Sequence, residues 1–333
     1  MGPLPVADCH NDLLLEVRHL RERGHEDPFG EIWLPQLIEG GVEVQVLPVC
    51  TEEQYVGEGA LRRSLVMIEE ARHLAEVHSD RVAIVETAAE LDAALAAGRI
   101  AFVLAIEGAE PLGHSIELFD IFYRAGIRMC SLSWNRRTMF ADGIAETDTG
   151  GRLTSLGVQA VRRMEELGII VDVSHLSRNG FFHLAEVAQK PFVASHSSCA
   201  GVQGHPRNLD DEQLAVFRET GGLVCLNAFG AFLADEPRRS DFIAHVEYAL
   251  SRLSPEQVAF GADFIYDVAE TIDPIFTGLL VPLDDLPWTE GLLRPTDYPA
   301  LTAELAGRIG EGAARRVSSE NLIGFLREHL PQG

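Results

Sequence analysis

The sequence predicts an α/β fold in which parallel strands close into a (β/α)8 TIM barrel. Three observations lead there. Short apolar runs rich in Val, Ile, Leu and Phe occur eight times along the 333 residues, and few alternate between apolar and polar positions. That pattern belongs to strands buried on both faces. Helical patterns separate several of the runs, and strands alternating with helices build a parallel sheet, which closes at eight strands. The competing arrangement, an open doubly wound sheet, would place GxGxxG after an early strand, and none stands there.

In chain order, strands are expected at 5–8 and 42–49, followed by a helix over 61–77 (LRRSLVMIEEARHLAEV) with apolar residues at helical spacing. A helix at 88–97 leads to the strand at 100–106, and a helix at 116–125 to the strand at 127–132. Helices at 154–167 and 180–188 flank the fifth strand (169–173) and precede the sixth (192–194). The helix at 210–220 opens on Asp210 with Gln213 three residues on, an approximate capping box. The seventh strand (223–226), a helix (241–253) and the eighth strand (258–261) complete the set. Gly98, Gly126, Gly168 and Gly221 stand where helices should end. The stretch 267–299 carries five prolines and little periodicity, so it reads as a long loop, followed by helices at 300–308 and 319–329. No internal repeat is visible, and residues 1–333 are expected to form one barrel domain.

A formal net charge of -24 repels nucleic acid and anionic membrane surfaces, which excludes both as partners. An anionic substrate stays open, because bound metal or a nearby arginine reverses the sign locally. Five widely spaced cysteines without a CxxC argue against disulfides and against a cysteine zinc site. They read as small buried hydrophobes, with Cys9 and Cys199 lining the site without binding metal. The first residues lack the basic and apolar segments of a leader, and no stretch has membrane-spanning character, so a cytoplasmic enzyme is expected.

Active sites of such barrels lie at the C-terminal ends of the strands. Past the first run stand His10 and Asp12, past the third Glu107, and past the fourth Trp134 and Asn135. His175 stands past the fifth, His196 past the sixth and Asp263 past the eighth. Taken singly, each has a structural reading: a hydrogen-bonded histidine, or a carboxylate at a helix start. Together, three histidines and three carboxylates on one rim suit zinc or a similar divalent ion. Six such groups exceed what one catalytic zinc takes, so two ions with Glu107 as the bridge fit better. His19, His25, His73, His78, His183, His245 and His329 fall in helices or polar loops and are expected to be solvated, whereas His114 and His205 lie on loops of the active rim.

With these residues in hand, the chain resembles the membrane (renal-type) dipeptidase family. The matching stretches are DCHNDLL (8–14), AIEGAEPLGHSIELF (105–119), SLSWN with ADG (131–143), VDVSH (171–175), ASHSS (194–198), HPRNL (205–209), GGLVCLNAF (221–229) and GADF (261–264). The resemblance implies two Zn2+ per chain, one on His10 and Asp12, the other on His175 and His196, bridged by Glu107. It also implies that Arg207 binds the terminal carboxylate of a small peptide, a role suited to the guanidinium fork, and that Asp263 moves the proton. Two departures stand out. The family often has a histidine near the developing oxyanion where this chain has Trp134, which leaves Trp134, Asn135 or the metals to carry that load. The family's DFDG is replaced by Asp263-Phe264-Ile265-Tyr266. Animal relatives carry a lipid anchor for which this chain has no matching tail.

The leading reading is a binuclear zinc dipeptidase acting on L-L and L-D dipeptides, with a homodimer left open. The alternatives are a related metal-dependent amidase or lactamase, and a ligand-binding barrel that has lost catalysis.

Overall fold

The computed structural model describes residues 3–52, 54–55, 57–272 and 287–333. Among the described residues, nine strands join in one parallel sheet: β1 (Val6–Asp8), β2 (Val42–Cys50), β3 (Val82–Ile84), β4 (Ile100–Glu107), β5 (Ile127–Ser131), β6 (Ile170–Asp172), β7 (Val193–Ala194), β8 (Leu223–Leu226) and β9 (Val258–Phe260). β1 pairs with both β2 and β9, and β2 pairs with β4, so eight strands close a ring. The ninth, β3, was not expected from sequence. It pairs only with the first half of β4, from Val82 beside Ile100 to Ile84 beside Phe102, while β5 takes the second half. Three residues are too short a run to stand out from a loop.

Strand alternation sorts residues by size. In β4, Ala101, Val103 and Ala105 face the barrel interior with Val44, Val46, Ala7, Ala259 and Cys225. Phe102, Leu104 and Ile106 face the helix layer. Small residues fill the narrow interior and large ones fill the space under the helices. Glu107 continues the inward parity, which points its carboxylate into the top of the barrel.

The helices are α1 (Leu13–Arg21), α2 (Leu34–Glu39), α3 (Glu58–Val77), α4 (Ala88–Ala96), α5 (Glu117–Arg124), α6 (Ser155–Leu167), α7 (Arg178–Val187), α8 (Asp211–Thr220), α9 (Arg239–Leu250), α10 (Tyr266–Thr271), α11 (Tyr298–Ile309), α12 (Glu311–Arg315) and α13 (Asn321–His329). Local chemistry sets their ends. Thr154 and Ser177 accept N–H bonds at the starts of α6 and α7, and Asp210 with Gln213 forms a full capping box on α8. Gly168 and Gly221 end α6 and α8 in the left-handed conformation. The foot of the barrel is plugged by Leu322, Phe325 and Leu326 of α13.

The stretch read as a loop over 267–299 begins in α10 and ends in α11; residues 273–286 lie outside the described residues. His245, expected to be solvated, is fully buried. Its Nδ1 accepts from the Cys199 N–H and its Nε2 donates to the Leu233 carbonyl, so both ring nitrogens are satisfied without water. His78 is half-buried and bonded to Asp27 at 2.9 Å. No helix among the described residues is long and apolar enough to cross a membrane.

Candidate metal-dependent active site

The structure brings the residues from the strand ends together. His10 Nε2 lies 3.7 Å from Asp12 Oδ2, 3.7 Å from Glu107 Oε2 and 3.9 Å from Asp263 Oδ1. These separations are too long for hydrogen bonds. They leave His10 Nε2 and Asp12 Oδ1 buried with no protein partner among the described residues. On the other side, His175 Nε2 and His196 Nε2 lie 3.0 and 3.3 Å from Glu107 Oε1. Glu107 thus presents one oxygen to each group of ligands.

The protonation of the two histidines is set by their outer partners. Ser195 Oγ donates to Asp172 Oδ2 at 2.6 Å, so its oxygen accepts from His196 Nδ1 at 2.8 Å. Asn135 Oδ1 accepts from His175 Nδ1 at 2.9 Å. Each ring therefore carries its hydrogen on Nδ1 and a lone pair on Nε2. The two Nε2 atoms face each other at 2.7 Å. Two lone pairs at that distance repel unless a cation offsets them; the Arg207 guanidinium, 3.0 Å from His175 Nε2, does so for one ring, and a metal ion would do so for both. Burial, reinforced by Arg207 and His10, holds both histidines far below the usual range, so both rings are neutral.

The carboxylate side is strained in the opposite sense. Burial with Asp12 and Asp263 pushes Glu107 up to about 8 despite His10. Burial and Asp12 raise Asp263 to about 6 against His10, Asn227 and Arg207. Burial alone would depress His10, but Glu107, Asp12 and Asp263 together raise it to about 10. A pocket of crowded acids that resist ionisation, an orphaned imidazole nitrogen and two converging lone pairs fits divalent metal. Two groups have the spacing of ligand sets, His10–Glu107–His196 and His10–Asp12–Asp263.

His175 and Asp263 are the only non-glycine residues with positive φ among those described, at 69° and 58°. Such backbone costs about 1–3 kcal/mol and persists where the surroundings enforce it. At these two positions it turns a side chain back over the barrel mouth. Asn227 holds Asp263 by a 2.9 Å bond to Oδ2.

The cleft above the cluster has a volume of about 480 Å³. Arg207 is buried at its edge and donates from Nη2 to His175 Nε2 at 3.0 Å and to the His196 carbonyl at 3.3 Å, while its Nε has no partner among the described residues. Trp134 lines the cleft with its ring 5.9 Å from His175, and His205 lines it too. Asn135 also borders the cleft, but its carbonyl is committed to His175.

The cysteine expectation needs correction. All five are buried and free, but Cys50 lines the cleft, rather than Cys9 or Cys199. Cys9 shares the inward parity of Ala7 and sits below, inside the barrel, and Cys199 packs against His245. Cys50 and Asn227 stand at the ends of β2 and β8, the two strands of the closed ring whose ends had supplied no site residue. Applying the strand-end rule there would have found both.

Comparison with known proteins agrees with this geometry. The model of the membrane dipeptidase family (peptidase family M19) matches residues 1–275. An uncharacterized protein in the PQQ-III 3' region of Acinetobacter calcoaceticus is 33% identical over 202 residues, 57% of this chain. That match spans 64% of the relative's own length. Among solved structures, a metallo peptidase from Rhodobacter sphaeroides, liganded with a phosphinate mimic of the dipeptide L-Ala-D-Ala, is 27% identical with a TM-score of 0.85. The alignment covers 98% of this chain and 99% of that one. Dipeptidase AC, a metallo peptidase of family M19, is 28% identical with a TM-score of 0.86, covering 99% of this chain and 100% of the other. The chain belongs to the membrane dipeptidase family, peptidase family M19.

Proposed function

We propose that this chain hydrolyses the peptide bond of dipeptides with two zinc ions. The observation that carries the reading is the convergence of two neutral histidine lone pairs, 2.7 Å apart, on the carboxylate of Glu107 beneath a cleft edged by buried Arg207. His10 and Asp12 would hold one ion, His175 and His196 the other, with Glu107 shared. Ions held there supply a polarised carbonyl and an acidified water.

The remaining work falls to the chain. Arg207 pairs with the substrate's terminal carboxylate, which sets the register of the scissile bond; its Nε, without a partner among the described residues, is a donor for that purpose. Asp263, steered by Asn227, takes the proton from the attacking water and returns it to the leaving nitrogen. Trp134 and the apolar walls exclude bulk water, which strengthens each of these charge interactions. A dipeptide mimic of L-D configuration occupies a relative's structure. We extend that to this chain and expect both L-L and L-D dipeptides as substrates.

The test is zinc-reconstituted protein assayed on L-L and L-D dipeptides and on N-acyl amides. Turnover of free-amine dipeptides with about two zinc equivalents supports the reading. Cleavage of N-acyl amides alone would make it a different amidase, and bound metal without turnover of any substrate would make it a binding protein.

A further inference from the structure

Much of the cleft wall that this chemistry leaves unused is apolar, and two patches of it flank the site. One belongs to the chain that continues from Asp263: Ile265 and then Val268 of α10, joined by Leu15 of α1. The other surrounds Arg207. Phe232 stands 5.3 Å from the guanidinium carbon, Phe229 packs against Phe232 at 5.1 Å, and Pro206 adjoins them. Every carboxylate and guanidinium among the described lining residues (Asp12, Glu107, Asp263 and Arg207) is already assigned to metal, proton transfer or the substrate carboxylate. His205, which also lines the cleft, accepts from the Arg207 backbone N–H at Nδ1 and is kept neutral by burial and Arg207, so no charge among the described lining residues is left to pair with a charged substrate side chain, which would have to shed its water without compensation.

We infer that the enzyme selects dipeptides with apolar side chains at both positions, an aliphatic one at the amino end against Leu15, Ile265 and Val268, and a large one at the carboxyl end against Phe229 and Phe232. The assignment of ends rests on the dipeptidase reading, which puts the substrate carboxylate at Arg207. Selection works by area. Each methylene removed from water contributes about 0.8 kcal/mol, roughly a fourfold gain in kcat/KM. Leu-Phe should therefore exceed Ala-Ala by tenfold or more. Glu or Lys at either position should lie at least tenfold below Leu-Phe.

Two variants read the ends separately. Val268→Asp should lower kcat/KM for Leu-Phe and raise it for Lys-Phe, leaving the ratio of Leu-Phe to Leu-Ala unchanged. Phe232→Ala should shrink the Leu-Phe to Leu-Ala ratio at least fivefold; taking a ratio cancels any shared effect on Arg207. Zinc content and thermal midpoint identify folded variants, and Val268→Thr and Phe232→Leu serve if the first pair fails to fold, the former lowering Leu-Phe by less and without a gain for Lys-Phe, the latter shrinking the Leu-Phe to Leu-Ala ratio by less. Turnover that is flat across the panel, or higher for charged dipeptides, overturns this inference and leaves the dipeptidase reading standing. No turnover of any dipeptide by zinc-loaded parent protein overturns both.

Discussion

Asp8 and Asp172 grip their strands by the same pattern of bonds. Oδ1 of Asp8 accepts from the backbone N–H of His10, two residues on, and from Ala262 past the neighbouring strand, each at 3.0 Å. Oδ1 of Asp172 accepts from Ser174, two residues on, and from Ser195 past its neighbouring strand, each also at 3.0 Å. The second oxygen takes a hydroxyl in both cases, from Tyr298 and from Ser195. One device ties His10 and Asp12 to the Asp263 segment, and the other ties His175 to His196. Charge-assisted bonds of this kind are among the stronger ones in proteins.

The Asp172 arm reaches further, because Ser195 passes its polarity to His196. Asp172→Asn should place an amide donor against the Ser195 hydroxyl and turn it around. The hydroxyl would then donate to His196 Nδ1, move the ring hydrogen to Nε2 and remove the lone pair a metal needs. Loss of such an outer partner weakens metal binding by about 10–100-fold. Zinc titration should show one site weakened and one retained, with the fold intact. Two sites of unchanged affinity in Asp172→Asn would mean that Asp172 serves the strands alone.

Asp263→Asn should keep both metals and lose turnover. Asparagine preserves size and can still bond Asn227 after an amide flip, but it cannot accept a proton. General acid–base groups contribute ~10²–10⁴-fold. Activity within twofold of the parent would remove Asp263 from proton transfer.

Arg207→Ala should weaken dipeptides far more than their C-terminal amides. A charge-assisted bond lost to a carboxylate costs about 1.5–3 kcal/mol. Equal losses on both substrate types would show that Arg207 acts through His175, to which it donates at 3.0 Å, rather than on the substrate.

Chelation should lower the thermal midpoint. Glu107 and Asp263 both feel Asp12 as a like charge within a buried site. Without cations these carboxylates must bind protons or repel one another. An ion that binds only the folded state stabilises it by about 2.7 kcal/mol at a hundred times its Kd. Zinc should restore the midpoint and magnesium should not, since imidazole ligands suit zinc. An unchanged midpoint after complete metal removal would contradict a metal-filled cluster.

Much of this site was legible because a barrel delivers its strand ends to one rim. His10, Glu107, His175, His196 and Asp263 could be placed from the polar residues just past each apolar run. The parts that stayed hidden depend on partners far away in sequence. Ser195 and Asp172 lie within recognisable strand ends, but the relay from Asp172 through Ser195 to His196 appears only when β6 and β7 pair. His245 looked like a solvated helix residue because nothing local announces that Cys199 and Leu233 satisfy its ring. α1 was missed because its three leading leucines come directly after the His10–Asp12 stretch, without a capping side chain.

Trp134 is where this chain leaves the family pattern, and its position favours a structural part in the cleft. Its ring is half-buried and tilted 33° to His175 at 5.9 Å, so it stands beside that histidine as part of the cleft wall. Gly143 packs so closely behind it that a Cβ there would meet the Trp134 carbonyl oxygen at 2.4 Å, which anchors the loop backbone. A histidine at this place would titrate near neutrality, whereas an indole does not. If the indole N–H had taken over as an oxyanion donor, Trp134→Phe would lower turnover by ~10²–10³-fold. The metals can polarise the carbonyl without it, and a single N–H on a large ring, fixed by loop packing, has little freedom to track a developing charge. Trp134→Phe should therefore change kcat less than about threefold, and Trp134→Ala should mainly raise KM by opening the wall to water. A hundredfold fall in kcat for Trp134→Phe, with both metals retained, would assign the indole N–H to the oxyanion instead.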